Sequence, residues 1–378
     1  MKNILYICPS TGVGGAETFL KHSFIHCDRE KYKVHYLLFS QGPLYSYLVD
    51  NNASVYLTSH QPRLSKWGDQ VKIRKQIRGI INEQKIDLVH STMAYGALFG
   101  AWPAKQMNVK HIWFQHGPAS GWMDRVASLL PHNGLAVNSH YTSQKQRELE
   151  NPIRFFIPRC LPIEKILLGT SIKKPPDDQI TSYRSQLLKK HNVDESKIII
   201  SMLCRIQPWK GVHVLLDALK ELKEIHPKIH CFIWGDAFGG NDYFESLKKT
   251  ISDNSLPATL VGLSDQVELA LSSSDILVNA SIQPEPFGLS IIEGMTVGAV
   301  PVVPNEGGPL EIISNGKDGL IFKARQAPDL AHKLKKLASD PELLKLLSDE
   351  TMKTAENKFQ ASRAIKHLEQ FYDKVLQS

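Results

Sequence analysis

The sequence predicts an α/β protein made of two doubly wound, parallel-sheet domains. Short apolar runs alternate with amphipathic helical stretches along all 378 residues, the pattern of repeated βαβ units. Twelve such runs exceed the usual sheet of about five or six strands, so two sheets fit better than one. A proline-rich stretch separates the two series.

The elements follow in order. Strand-like runs occupy 4–8, 34–39, 54–57, 88–90, 111–115 and 134–138. Residues 151–194 contain Pro152, Pro158, Pro162, Pro175 and Pro176 and read as an irregular linker. The second series comprises 198–203, 230–234, 258–260, 276–279, 299–303 and 319–322, with helical patterns such as 211–225, 243–254 and 289–297 between strands. The expected domains are 1–165 with 361–378, and 166–360.

Composition excludes several classes. Hydrophobic residues make up 42% and charged residues 22%, which excludes a disordered, collagen-like or coiled-coil chain. No apolar run approaches the roughly 18 to 20 residues that span a bilayer. The start, Met1 to Ile7, lacks the apolar core and cleavage site of a signal peptide and reads as a strand. Cys8, Cys27, Cys160, Cys204 and Cys231 are odd in number, scattered and free of any CxxC pair. Disulfide scaffold and structural zinc both fail on that spacing, and a cytoplasmic protein is expected.

Charge is uneven. Residues 1–165 hold 20 Lys+Arg against 11 Asp+Glu, and the remainder holds 25 against 27. A basic half suggests an anionic partner. Much of the excess lies in Arg63, Lys66, Lys72, Arg74, Lys75 and Arg78, interleaved with Leu64, Trp67, Val71, Ile73, Ile77, Ile80 and Ile81. This is a basic amphipathic helix. It either packs on its own sheet or gives peripheral contact with an anionic membrane. No nucleic-acid partner is expected.

Open parallel sheets bind ligands beyond the carboxyl ends of their strands, and chemically loaded residues cluster there. After the first strand, Gly12, Gly14 and Gly15 precede an apolar helix. Glu17 occupies the third glycine position of a dinucleotide fingerprint, so a loop shaping a cleft, or a plain tight turn, fits better. His116 follows a strand and precedes Gly117-Pro118, placed to touch a ligand or to serve structure; His90 has a similar position. Arg205 and Lys210 lie five apart on a loop entering a helix, and such cations can converge on a diphosphate. The strongest pattern is Glu285-Pro286-Phe287-Gly288-Leu289 with Glu293, after the 276–279 strand. Glu285 falls on the loop and Glu293 about a turn inside the helix. Carboxylates accept paired hydrogen bonds from vicinal hydroxyls, and the N–H groups at 287–290 can approach a phosphate. A capping Glu and a surface Glu is the plainer alternative.

This set resembles the retaining nucleotide-sugar glycosyltransferases of family GT4, with the GT-B fold of two Rossmann-like domains facing across a cleft. The resemblance rests on Arg205…Lys210-Gly211, on Glu285 and Glu293 around Phe287-Gly288, and on Glu306-Gly307-Gly308-Pro309-Leu310-Glu311. It is dense over 198–322. In the first half it rests on Gly14-Gly15-Ala16-Glu17, Gln115-His116-Gly117 and Val137-Asn138-Ser139. It implies that Glu293 binds ribose hydroxyls, that Arg205 and Lys210 hold the diphosphate, and that Glu285 contacts the donor sugar. The backbone at Phe287, Gly288 and Leu289 would lie near sugar and phosphate, and His116 by the donor sugar. Gly14 and Gly15 would let their loop approach donor phosphate or acceptor. Val261, Gly262 and Leu263 match where the family holds the base, and the helix from about Ala361 would return to the N-terminal domain. Trp209 and the 155–169 stretch depart from the family pattern.

The resemblance further implies transfer of a hexosyl unit from a UDP- or GDP-linked sugar to a glycan, lipid-linked or small-molecule acceptor, in cell-envelope polysaccharide synthesis. No cofactor is expected. No metal is expected either, because no DxD motif follows a suitable strand; Asp177-Asp178 lies in the proline-rich stretch. Arg205, Lys210 and the helix dipole at Gly288 would then stabilise the departing diphosphate. Glu285 is placed either as a nucleophile or, as the family implies, as a binding group. The competing functions are a catalytically silent nucleotide-sugar sensor and a GT-B-type epimerase.

Overall fold

The computed structural model describes residues 1–10, 12, 14–154, 162–237 and 242–378. Thr11 and Val13 of the glycine loop, and 155–161 of the expected linker with Cys160, lie outside the described residues. The chain divides into two units, residues 1–169 with 361–378 and residues 170–360.

The first unit alternates β1 (Lys2–Cys8), α1 (Gly15–His26), β2 (Tyr32–Leu38), α2 (Pro43–Asp50) and β3 (Ser54–Leu57). It continues with α3 (Trp67–Glu83), β4 (Leu88–Thr92), α4 (Met93–Gln106), β5 (Lys110–Gln115) and α5 (Trp122–Ser128). β6 (Gly134–Val137), α6 (His140–Arg154) and β7 (Ile163–Lys165) complete the seven-stranded sheet, ordered β3-β2-β1-β4-β5-β6-β7. All its pairings are parallel.

The second unit opens with α7 (Asp177–Lys190), β8 (Ile198–Leu203), α8 (Val212–Lys220), β9 (Ile229–Trp234) and α9 (Asp242–Asp253). β10 (Ala258–Gly262), α10 (Val267–Ser272), β11 (Ile276–Val278), α11 (Leu289–Val297) and β12 (Val300–Pro304) follow. α12 (Pro309–Ile312), β13 (Leu320–Phe322), α13 (Ala327–Ser339) and α14 (Pro341–Lys358) close it. Its six parallel strands run β10-β9-β8-β11-β12-β13. The last helix, α15 (Ala361–Gln377), belongs to the first unit and packs on α1.

Both sheets are covered on two faces, so central strands are apolar throughout: Ile4 to Cys8, and Ile199 to Met202 apart from Ser201. α15 is anchored by buried hydroxyls. Tyr372 Oη lies 2.7 Å from Tyr6 Oη and 2.6 Å from His90 Nδ1. His90 is therefore a wholly buried strand residue holding the last helix, not a strand-end ligand.

The structure corrects one further expectation and decides between two readings of another. Much of the described part of the 151–194 stretch is regular: α6 runs into it, β7 pairs with β6, and α7 fills 14 residues of it. Pro176 stands at the N-cap of α7 with Asp177 and Asp178 in the first turn, so this proline starts a helix. The basic amphipathic helix is α3, and its apolar side (Ile73, Ile77, Ile80 and Ile81) is committed to the core with Leu5, Ile7, Phe39 and Phe99. That side is not available to a membrane.

Candidate functional site

In the second unit the strand order reverses between β8 and β11, so the loops leaving these neighbours part at a switch point, where open α/β sheets hold ligands. The β8 loop carries exposed Arg205, then a 3₁₀ turn (Pro208–Lys210), then Gly211. Gly211 adopts φ +72°, and any Cβ there would strike the Ala280 carbonyl. Only glycine lets the β8 loop lie against the β11 loop. Ile282 N donates to Trp209 O at 2.8 Å and ties the loops together.

That contact brings Lys210 and Glu285 face to face. Lys210 Nζ donates to Glu285 Oε1 at 2.9 Å and to Oε2 at 2.6 Å. The two side chains are 14% and 12% exposed. Ser281 Oγ donates to Glu285 Oε2 at 2.9 Å, and the ammonium lies 4.1 Å from the centre of the Trp209 ring. The ring is held in turn by its Nε1 donating to Gln207 Oε1 at 2.5 Å. Burial pushes the Cys204 thiol up to about 12, so the sulfur nearby adds no negative charge.

Behind Glu285, Gly308 N donates to its carbonyl at 2.8 Å. A Cβ on Gly307 or Gly308 would meet the backbone of 284–287, so the two glycines let the β12 loop close on this turn. Arg325, in a left-handed conformation at φ +65°, pairs with Glu306 and donates to Ile282 O at 2.8 Å. Gly288 (φ +108°) caps α11, Phe287 is buried against Phe359, and Leu289 begins the helix. Glu293 lies one turn in. Burial, with the Glu268 carboxylate as a second cause, raises its carboxyl to about 7, and it has no hydrogen-bond partner among the described residues. Val261 and Gly262 end β10; Gly262 (φ +91°) accepts from Gly235 N, and Leu263 is 76% exposed.

In the first unit, His116 directly follows β5. Its ring stacks on Phe114 at 3.9 Å and lies 5.1 Å from Phe19. Both ring nitrogens are buried without a partner, and burial lowers its pKa to about 3, so the imidazole is neutral. Its carbonyl is held by Asn138 Nδ2 at 2.9 Å. Gln115 Nε2 donates to Gly117 O, Pro118 O and Asp124 Oδ1, which fixes the following turn. Gly14 is the N-cap of α1 and Gly15 its first residue. Gly14 is extended (φ −173°), a conformation any residue adopts, so backbone freedom does not require glycine there.

Of the sequence-derived residues, the structure thus joins Lys210 and Glu285 directly. It sets Phe287, Gly288, Leu289 and Glu293 on the same turn and helix, and it leaves Arg205 exposed on the β8 loop. Sequence reasoning missed Ser281, Trp209 as a seat for Lys210, and the Glu306–Arg325 pair. The spacing of Ser281 four residues before Glu285 was the one available signal.

Comparison with known proteins agrees with this architecture. The family model "Glycosyltransferase Family 4" matches residues 13–160, and "Glycosyl transferases group 1" matches 184–354. The trehalose synthase of Pyrococcus horikoshii is 27% identical over 197 residues, 50% of this chain and 46% of that protein, so the chain spans about half its length. EpsD of Bacillus subtilis is 22% identical over 320 residues, covering 79% of this chain and 80% of EpsD. The crystal structure of Anabaena HepE in complex with UDP superposes with a TM-score of 0.84 at 22% identity, over 99% of this chain and all of that one. The paired family matches and the two parallel-sheet units agree: the chain belongs to the GT-B glycosyltransferases of the GT4 type.

Proposed function

We propose that the chain is a retaining, metal-independent hexosyltransferase that moves a sugar from a nucleoside-diphosphate donor to a glycan or lipid-linked acceptor in cell-envelope polysaccharide synthesis, working at an anionic membrane face. The observation that carries the donor reading is the meeting of Lys210 and Glu285 at the β8/β11 switch point, beside the start of α11. HepE, of the same fold, is known in complex with UDP-glucose, which supports a uridine donor here.

Cleaving the anomeric C–O bond builds positive charge on the sugar and negative charge on the leaving diphosphate. Lys210, Arg205 and the N-terminal dipole of α11 offset the second charge. A donor diphosphate would take the Lys210 ammonium from Glu285, and the released carboxylate would accept hydrogen bonds from sugar hydroxyls. Glu293, without a protein partner, suits the vicinal hydroxyls of ribose. Neutral His116 offers one donor and one acceptor nitrogen, which suits a sugar hydroxyl that also does both. The acceptor attacks from the face the diphosphate leaves, and a diphosphate oxygen takes its proton, so configuration is retained without a protein nucleophile.

The direct test is a thermal-shift panel of UDP, GDP, ADP and their sugars, followed by product analysis of anomeric configuration. A ligand at 100 times its Kd stabilises by about 2.7 kcal/mol. The reading predicts a shift with one nucleotide family and an axial or equatorial linkage matching the donor. No shift with any nucleotide, or an inverted product, overturns it.

A further inference from the structure

The exposed tryptophans are not scattered. Trp67 (73% exposed), Trp102 (45%) and Trp122 (64%) lie on α3, α4 and α5, which pack side by side in that order on the first unit. Three more large exposed apolar residues, Val71, Val126 and Leu129, belong to the same helices or end them. Spacing groups them: Trp67 and Val71 are four apart on α3, and Trp122, Val126 and Leu129 follow at four and three along α5. Each pair or triplet forms an outward stripe. The inward side of α3 is already buried through Ile73, Ile77, Ile80 and Ile81.

The same stretch of chain is rich in cations. Residues 63–129 contain 10 Lys+Arg and 4 Asp+Glu. Arg63, Lys66, Lys72, Lys75, Lys105 and Arg125 are exposed. The acids are mostly engaged elsewhere. Asp69 receives Arg63 N and pairs with His60, Asp87 pairs with Lys2, and buried Asp124 caps α5. Indole rings ringed by Lys and Arg are what a bilayer interface selects: the amphipathic ring settles at headgroup depth while the cations meet anionic headgroups. A protein partner has no comparable need for six exposed cations on the stretch that carries three exposed indoles.

We infer that the outward side of the α3–α4–α5 layer is the surface by which this protein sits on an anionic lipid bilayer, with Trp67, Trp102 and Trp122 at headgroup depth. This rests on the peripheral-membrane part of the proposed function and replaces the inward face of α3 with the outward face of three helices.

The test is co-sedimentation with vesicles of phosphatidylcholine carrying about 30% phosphatidylglycerol, because an anionic surface is what attracts polybasic segments. Pure phosphatidylcholine vesicles and high salt serve as comparisons. Wild type should bind the anionic vesicles at low salt and release at high salt. Trp67→Ser with Trp122→Ser should lower the partition coefficient on the order of tenfold. Lys72→Ala and Lys75→Ala should each lower it about fivefold. Brominated lipid should quench wild-type fluorescence more than that of the double-tryptophan variant. An unchanged thermal melt and unchanged nucleotide affinity in the variants show that the fold and donor site are intact. If wild type ignores anionic vesicles at low salt, both the surface and the peripheral reading fall. If wild type binds but the tryptophan variant binds equally, only this surface is wrong. Sedimentation as a dimer that shields the indoles from quenching also overturns it.

Discussion

Glu285→Ala separates the two roles that meet at Lys210. The substitution removes both oxygens that hold the ammonium at 2.6 and 2.9 Å and leaves a cation only 14% exposed without its carboxylate. Truncating one partner of a desolvated charge pair costs about 2 to 5 kcal/mol. The Trp209 ring still shares the charge, and residual solvent reaches it, so the low end, about 2 kcal/mol, applies. For a unit of this size that lowers Tm by roughly 4 to 8 °C. A diphosphate supplies the missing anion, so free UDP or GDP should bind the variant at least as tightly as wild type and restore more of its melting temperature. The sugar loses a charged acceptor, worth about 1.5 to 3 kcal/mol, so turnover should fall by roughly tenfold to a hundredfold. Titration calorimetry with free nucleotide, differential scanning fluorimetry and a transfer assay read the three quantities separately. Parallel loss of free-nucleotide affinity and turnover, or a melt identical to wild type, would refute the exchange of partners at Lys210.

Three further outcomes follow from the site. The Glu293 carboxyl is raised to about 7 by burial and by Glu268; ribose hydroxyls favour its ionised form, so nucleotide affinity should rise from pH 6 to 8 with release of a proton. Calorimetry near pH 7 in buffers of different ionisation enthalpy measures that proton, and Glu293→Gln should abolish it. His116 is lowered to about 3 by burial, and its unfolded pKa lies near 6.5, so the unfolded state takes up the proton first as pH falls. Its contribution is absent above about pH 6.5 and destabilises by about 2 kcal/mol at pH 5. His116→Phe, between Phe19 and Phe114, should flatten that acid slope in urea melts while lowering turnover; an unchanged slope refutes the assignment. Lastly, EDTA should leave turnover intact on the proposal that Lys210, Arg205 and the α11 dipole neutralise the diphosphate; full loss restored by Mg²⁺ or Mn²⁺ refutes it.

The doubly wound fold was legible because strands buried on both faces are written as unbroken apolar runs. Residues 198–203 and 276–278 needed no tertiary information. β7 was not legible. Its three residues include Glu164 and Lys165, follow Pro162 and are only half-buried; their strand character comes from pairing with Leu135 to Val137. α7 carries a readable start in Pro176-Asp177-Asp178, but a cluster of prolines reads as continuous irregularity when each is taken as a breaker. Amphipathicity left two readings open at α3 for a related reason. An apolar stripe shows that a face is buried and says nothing of what buries it. The site divides along the same line. Strand-end loops could be placed by counting, which put Lys210 and Glu285 on loops, but 75 residues of chain separate them. Their contact follows from β11 joining the sheet beside β8, and from Gly211, whose missing side chain lets the two loops touch. This contact changes the chemistry expected of each residue. A sequence offers a cation and an anion as separate ligands; the fold makes them one ion pair, so in the proposed function a diphosphate that takes the cation also frees the carboxylate beside it. On the proposed reading, donor binding and readiness for the sugar are coupled through a single proton-free exchange of ion-pair partners.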